Sequence, residues 1–457
     1  MKKMLIAIFM ITIFVSSFTS ASALEQDTIS CRDFVINLGN GLTTEAQLTY
    51  PVVGDGPFPG VLLIPGGGTP DMDEYMPPYA TETGESARPH LQIAEYLSER
   101  GFAVLRYNKR GIGFNSTLAD PEVFFNITIQ DLKRDAEKTL EVLMQQSEVD
   151  ADDITLIGHS ESTIIAPRIA VDYPNVKKIV LMGTAGRSYY DIKYHKAVDL
   201  RVTLAEEILD TDQDGLLSIP EVLDGLGSRS MALISANDLL ENSTGEWLWR
   251  TYWNPDGDSF VDIEEEFKSF LIRLIEISMT AEYPGSKLVQ SQLALESTID
   301  MIGNVSSSIL ILNGINDIMT PLEDALLLEQ RLTERGHQDH TLITYPGLGH
   351  YFYPEDYYGI AMGSIQNYVL SDLTAWLKDP ARKVMFLKED LQIAENTVEN
   401  LQDQLISEQT RISDLEGQIE ELQFDLDSSR NLTYISLGLT IITIIALGIL
   451  IFQRRIT

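Results

Sequence analysis

Apolar and polar residues alternate over 33–38 and 43–50, the period-two pattern of half-buried strands, and these two segments are predicted to open the fold. Residues 60–64, 102–107, 154–158, 176–182, 307–312 and 341–345 are instead short, nearly continuous apolar runs, as expected of strands covered on both faces. Helical periodicity marks 90–100, 129–145, 160–171, 322–335 and 359–377 between them. Buried strands alternating with helices predict an α/β fold, with a mostly parallel sheet and helices on both faces. The rhythm stops between 182 and 307. That interruption, set at 187–300, is predicted to be an α-helical cap, with a helix over 263–283, between two parts of the body at 24–186 and 301–380.

The ends carry different patterns. Lys2 and Lys3 precede a short apolar run and an Ala21-Ser22-Ala23 exit, which reads as a secretory signal over 1–23. Pro380 closes the body. Heptad a positions then read Val384, Leu391, Val398, Leu405, Ile412, Ile419 and Leu426, with Leu387, Ala394, Leu401, Glu408, Leu415 and Leu422 at d. This predicts a coiled-coil stalk over 381–430 and, through it, a homodimer. Residues 432–452 hold no charge and cover about 31 Å as a helix, enough for a bilayer core. Arg454 and Arg455 follow, so a single transmembrane helix at 431–453 is expected to leave 454–457 cytoplasmic and the rest extracellular.

Charge narrows the partners. Against 68 Asp and Glu stand 33 Lys and Arg, a formal charge of −35. Such a surface repels phosphate backbones, so nucleic acid is not an expected partner. The lone cysteine, Cys31, excludes an intrachain disulfide. A secreted body without one must rest on a large core or on metal.

Three predicted strand ends carry reactive side chains. Gly158-His159-Ser160-Glu161-Ser162 lies between a strand and a helix, where a serine hydroxyl is exposed on a sharp turn. Asp317 follows the strand at 307–312, and His350 follows the last strand. The order Ser160, Asp317, His350 is that of a nucleophile, an orienting carboxylate and a base. Pro65-Gly66-Gly67-Gly68 ends an earlier strand. Its amides suit an oxyanion, Gly67 pairing with the amide of Glu161, whereas no Lys-Ser/Thr follows to make a phosphate loop.

The segments Leu63-Ile-Pro-Gly-Gly-Gly68, Ala103-Val-Leu-Arg-Tyr-Asn-Lys-Arg-Gly-Ile-Gly113 and Leu156-Ile-Gly-His-Ser-Glu161 resemble the α/β-hydrolase superfamily, among its S9/S33 peptidases and esterases. Leu312-Asn-Gly314 through Asp317 and Gly347 to His350 match its later half. The resemblance implies that Ser160 is the nucleophile, Asp317 the acid and His350 the base. Such relatives usually continue Gly-His-Ser-Glu-Gly-Gly, where this chain has Ser162 and Thr163.

Within the interruption, Asp210, Asp212, Asp214, Leu216, Ser218 and Glu221 occupy positions 1, 3, 5, 7, 9 and 12 of an EF-hand loop, with Gly215 at position 6. Asn254, Asp256, Asp258, Phe260, Asp262 and Glu265 repeat the pattern, with Ser259 in place of the turn glycine. Leu217 and Val261, at position 8, are where paired loops join by a short β contact. One or two structural calcium ions are expected. Together these features predict a membrane-anchored extracellular serine hydrolase of carboxylic esters or small peptides. The alternative is a non-catalytic calcium-binding adhesion or receptor protein on an inactive hydrolase body.

Overall fold

A computed structural model of the protein describes residues 28–227, 230–243, 245–280, 285–356 and 358–379. The expected signal, stalk, membrane span and tail lie outside the described residues. Among those described, no helix is long and apolar enough to cross a membrane.

Eight strands form the central sheet: β1 (Ile29–Gly39), β2 (Leu42–Pro51), β3 (Phe58–Ile64), β4 (Ala103–Tyr107), β5 (Val149–His159), β6 (Val176–Met182), β7 (Ser308–Gly314) and β8 (His340–Tyr345). Their spatial order is β1-β2-β4-β3-β5-β6-β7-β8. β2 runs antiparallel to β1 and β4, and every other neighbouring pair is parallel. Only the opening hairpin keeps an alternating pattern, because its outer face meets solvent, as at exposed Val35. β4 is buried along its whole length and β3, β6 and β7 nearly so, as their unbroken apolar runs require.

Helices cover both faces. On one, α2 (Ile129–Met144), α3 (Ser162–Asp172) and α4 (Leu322–Glu334) bury Leu140, Ile169 and Leu328 against the sheet. On the other, α1 (Pro89–Ser98) and α5 (Asn367–Lys378) bury Leu97 and Leu373. Thr128 and Asp131 close the start of α2 as a reciprocal capping box.

Two predicted helices are shorter than their periodicity suggests. The stretch expected to be helical from 359 starts only at Asn367, because Gln92 ties the amide and carbonyl of Ile365 at 2.9 Å each and satisfies them outside a helix. The helix expected over 263–283 divides into a wider π turn, Ile263–Lys268, and a regular helix, Ser269–Ser278.

The interruption between β6 and β7 has a hydrophobic core of its own, including Leu209, Leu217, Val222, Trp253, Val261, Phe267 and Leu271. It is mostly helical, and three two-stranded ribbons join its helices. Ile318, beside Asp317, packs into this same core.

Candidate active site

Because β3, β5, β6, β7 and β8 are parallel, their C-terminal ends lie along one edge of the sheet, where ligands of such sheets bind. Ser160 directly follows β5 with φ +57°, and its amide donates to the carbonyl of Met182 on β6 at 2.9 Å. The left-handed conformation turns the chain sharply from strand to helix. Gly158 permits that turn: a Cβ there would stand 2.6 Å from the carbonyl oxygen of Ser162.

The two departures from the usual glycines both tie this turn. Ser162 is fully buried. Its Oγ accepts from the amide of His159 at 2.7 Å and lies 2.9 Å from the carbonyl oxygens of Ile64 and His159. Thr163 Oγ1 donates to the carbonyl of Ser160 at 2.6 Å and accepts from the amide of Ala185 at 2.9 Å.

Asp317 and His350 meet as expected. His350 Nδ1 lies 3.0 and 2.9 Å from the two oxygens of Asp317. Asp317 also accepts the amides of Met319 and Thr320 at 2.8 and 2.9 Å, and the Thr320 hydroxyl at 2.8 Å. Burial works to raise the Asp317 carboxyl, but the charge and hydrogen bond of His350, with the bonds from Thr320, hold it below the ordinary carboxylate value. Burial lowers His350 below 6.5 despite the opposing charge of Asp317, so the imidazole is poised as a neutral base. With Nδ1–H donated to Asp317, the free Nε2 can take a proton.

Ser160, His350, Gly67 and Glu161 line one cavity of about 770 Å³. The Glu161 carboxylate is held aside by Lys109 at 2.7 Å and Gln292 at 2.9 Å. The rest of the residue can then serve the cavity through its backbone.

Several residues of the site were not singled out in the sequence. Gly183, at the end of β6, has φ +59°, and a Cβ there would press on Thr320, Asp317 and His350 at 3.2–3.3 Å. Its position directly after a buried strand was the available signal. Behind Asp317 and His350, Glu74 stands 3.3 Å from His90 and 3.4 Å from His159, and His159 Nε2 lies 3.0 Å from the carbonyl of His350. All three side chains are buried. Burial would raise Glu74, but His90 and His159 outweigh it and bring the carboxyl down to about 2. His159 is raised, the charge of Glu74 overcoming burial.

The predicted metal residues divide into two sets. The carboxylates of Asp210, Asp212 and Asp214 lie within 4.8 Å of one another. Asp210 accepts the amides of Asp214 and Gly215 at 3.1 and 2.9 Å, and Glu221 reaches across the loop to the Thr211 amide at 2.9 Å. Leu216 and Ser218 lie on the strand Leu216–Ser218, which pairs antiparallel with Phe260–Asp262, Leu217 facing Val261. In the second loop, no comparable carboxylate cluster forms among the described residues. Asn254 accepts the Gly257 amide at 2.7 Å, Asp256 that of Asp258 and Asp258 that of Phe260, so these polar groups serve the loop's own backbone. The positive φ falls on Gly257 rather than on Ser259. Glu265 donates its amide to Asp262, while the neighbouring Glu266 carboxylate accepts the Asp262 amide at 2.9 Å.

Residues 83–211 match the family model described as serine aminopeptidase, S33. The match spans the Ser160 turn, while Asp317, after β7, and His350, after β8, lie beyond the matched residues. The strand order and the helices on both faces agree with the α/β-hydrolase fold that the sequence resemblance implies. The chain is 32% identical over 132 residues to esterase EstD of Thermotoga maritima, a stretch covering 29% of this chain and 27% of that protein. The chain therefore spans about a quarter of the length of that curated relative. Among solved structures, it is similar to the α/β-hydrolase GrgF of a Penicillium species, with 15% identity, TM-score 0.42, and coverage of 79% of this chain and 98% of that one. Est1E of Butyrivibrio proteoclasticus gives 14% identity, TM-score 0.42, and coverage of 77% and 99%.

Proposed function

We propose that the protein is a membrane-anchored extracellular serine hydrolase that cleaves carboxylic esters, or small peptides and amides, through an acyl-enzyme. The carrying observation is the close pairing of His350 with Asp317 beside a cavity into which Ser160 opens from a strained turn. The likeness to an esterase favours esters over peptides.

In the first step, His350 Nε2 takes the Ser160 proton as Oγ attacks the acyl carbonyl, and the carbonyl oxygen becomes an oxyanion facing the amides of Gly67 and Glu161. His350 returns that proton to the departing alcohol or amine, leaving an ester on Ser160. Water, deprotonated by His350, then attacks the ester, and His350 returns that proton to Ser160 Oγ as its bond to the acyl carbon breaks and the acid is released. Throughout, Asp317 holds Nδ1–H and offsets the imidazolium charge.

The cap loops fit calcium unequally. The gathered carboxylates of Asp210, Asp212 and Asp214, with Glu221 closing the loop, supply hard oxygen donors, and the Leu217–Val261 ribbon is the expected contact between paired loops. Among the described residues the second loop gathers no such cluster. Calcium in the first loop would neutralise crowded carboxylates and brace a cap whose core contains Ile318, next to Asp317. Labelling by a fluorophosphonate probe tests the reaction. Adduct on Ser160 supports it, and an unlabelled, folded protein rejects it.

A further inference from the structure

The helix Tyr189–Tyr194 runs on into a wider turn, His195–Asp199, and lays one face along the catalytic cavity. Tyr189, Ile192, Lys193 and Lys196 line it, at the three- and four-residue spacings of a single helix face. Two ammonium groups therefore overlook the cavity that contains Ser160. Among the described residues, no carboxylate lies within 4 Å of either one. The acidic side chains that line the cavity are engaged elsewhere: Glu161 by Lys109 and Gln292, Glu74 by His90 and His159.

Lys193 and Lys196 are half-buried where they line the cavity, and two like charges held side by side at a reactive group are eased by an anion between them. Burial pushes Lys196 down to about 8, the charge of Lys193 adding to the effect and the charges of Asp317, Asp324 and Glu161 opposing it. Lys193 is lowered by burial, and its Nζ stands 5.4 Å from the centre of the Tyr189 ring. The overall charge of −35 opposes the approach of an anion. At physiological salt, however, screening over about 8 Å lets the groups inside the cavity decide.

Building on the serine hydrolase reading above, we propose that Lys193 and Lys196 form an anion subsite and that the preferred substrate is an ester or short peptide bearing a carboxylate near the scissile bond. A dicarboxylic acid monoester presents such a group on the acyl side, and a carboxylated alcohol or phenol on the leaving side. Two lysines set one helical turn apart could clasp one carboxylate between them.

The test compares matched esters on the full chain: 4-nitrophenyl butyrate against mono-4-nitrophenyl glutarate, and phenyl acetate against 4-acetoxybenzoate. Charge-assisted contacts of this kind predict a preference in kcat/KM of roughly 10–100-fold for the anionic member of at least one pair. In the double variant Lys193→Gln/Lys196→Gln that ratio should fall towards one, whereas Lys193→Arg/Lys196→Arg should retain it. Should the glutamine variant not fold, the wild type still decides, because glutarate should inhibit competitively where glutaramide does not. Wild type that hydrolyses the neutral esters without an anionic preference overturns the subsite and leaves the hydrolase reading intact. An equal loss on both members of each pair would assign the lysines to the oxyanion instead, and would also overturn it. Failure to hydrolyse any ester, with no fluorophosphonate adduct, removes the hydrolase reading and the subsite with it.

Discussion

Single side chains at the Ser160 turn have separable jobs. Ser162, fully buried, ties the ends of β3 and β5 through one hydroxyl. Ser162→Ala leaves the His159 amide without that acceptor, at a cost of about 1–3 kcal/mol, which thermal unfolding should register as a lower Tm. The pair Glu74–His159 has a defined pH window. Glu74 is depressed from 4.5 to about 2, so its contribution is present above 4.5 and lost as pH falls towards 2. His159 is raised above 6.5, so its contribution is present below 6.5 and lost as pH climbs through the raised value. Glu74→Gln should flatten both limbs of a plot of Tm against pH, and an unaltered plot would deny the coupling. His350 must be neutral to act. Since burial lowers it, the acid limb of kcat/KM should fall below pH 6.5, and a midpoint at or above that value would contradict the assigned environment.

At the scale of elements, the cap loops make the sharpest prediction. Glu221→Gln should weaken calcium binding most, because it removes one charge and the bidentate end of the first loop. Changes in the second loop should matter less, since among the described residues only Asp210, Asp212 and Asp214 gather their carboxylates within reach of one ion. Titration calorimetry on the metal-free protein checks both, and no binding up to several millimolar, about the top of the range for extracellular modules, would reject the site. Elements differed in how far the sequence disclosed them. Buried strands such as β6 and β7 stand out as apolar runs because both faces are covered, and the approach of Asp317 to His350 could be anticipated once those strand ends were known. Ser162, read as a bare departure from glycine, gained its meaning only from the carbonyl of Ile64, distant in sequence. The Glu74–His159 contact and the gathering of Lys193 and Lys196 beside Ser160 likewise depend on tertiary approach, which periodicity does not encode. The false helical start at 359 arose because apolar spacing persisted where Gln92 held the backbone extended.

For the whole molecule, the account joins a hydrolase body to a predicted stalk and membrane span. Dimerisation through 384–426 should disappear on truncation after Asp379, and sedimentation showing the longer form monomeric at micromolar concentration would reject the stalk. The reaction itself is decided by one measurement. The full chain is treated with a fluorophosphonate and the adduct is mapped by mass spectrometry, with Ser160→Ala in parallel. The account predicts a single adduct on Ser160, none in the variant, and loss of ester turnover by several orders of magnitude. A folded wild type that takes no label, or a variant that turns over esters as fast as wild type, would contradict it.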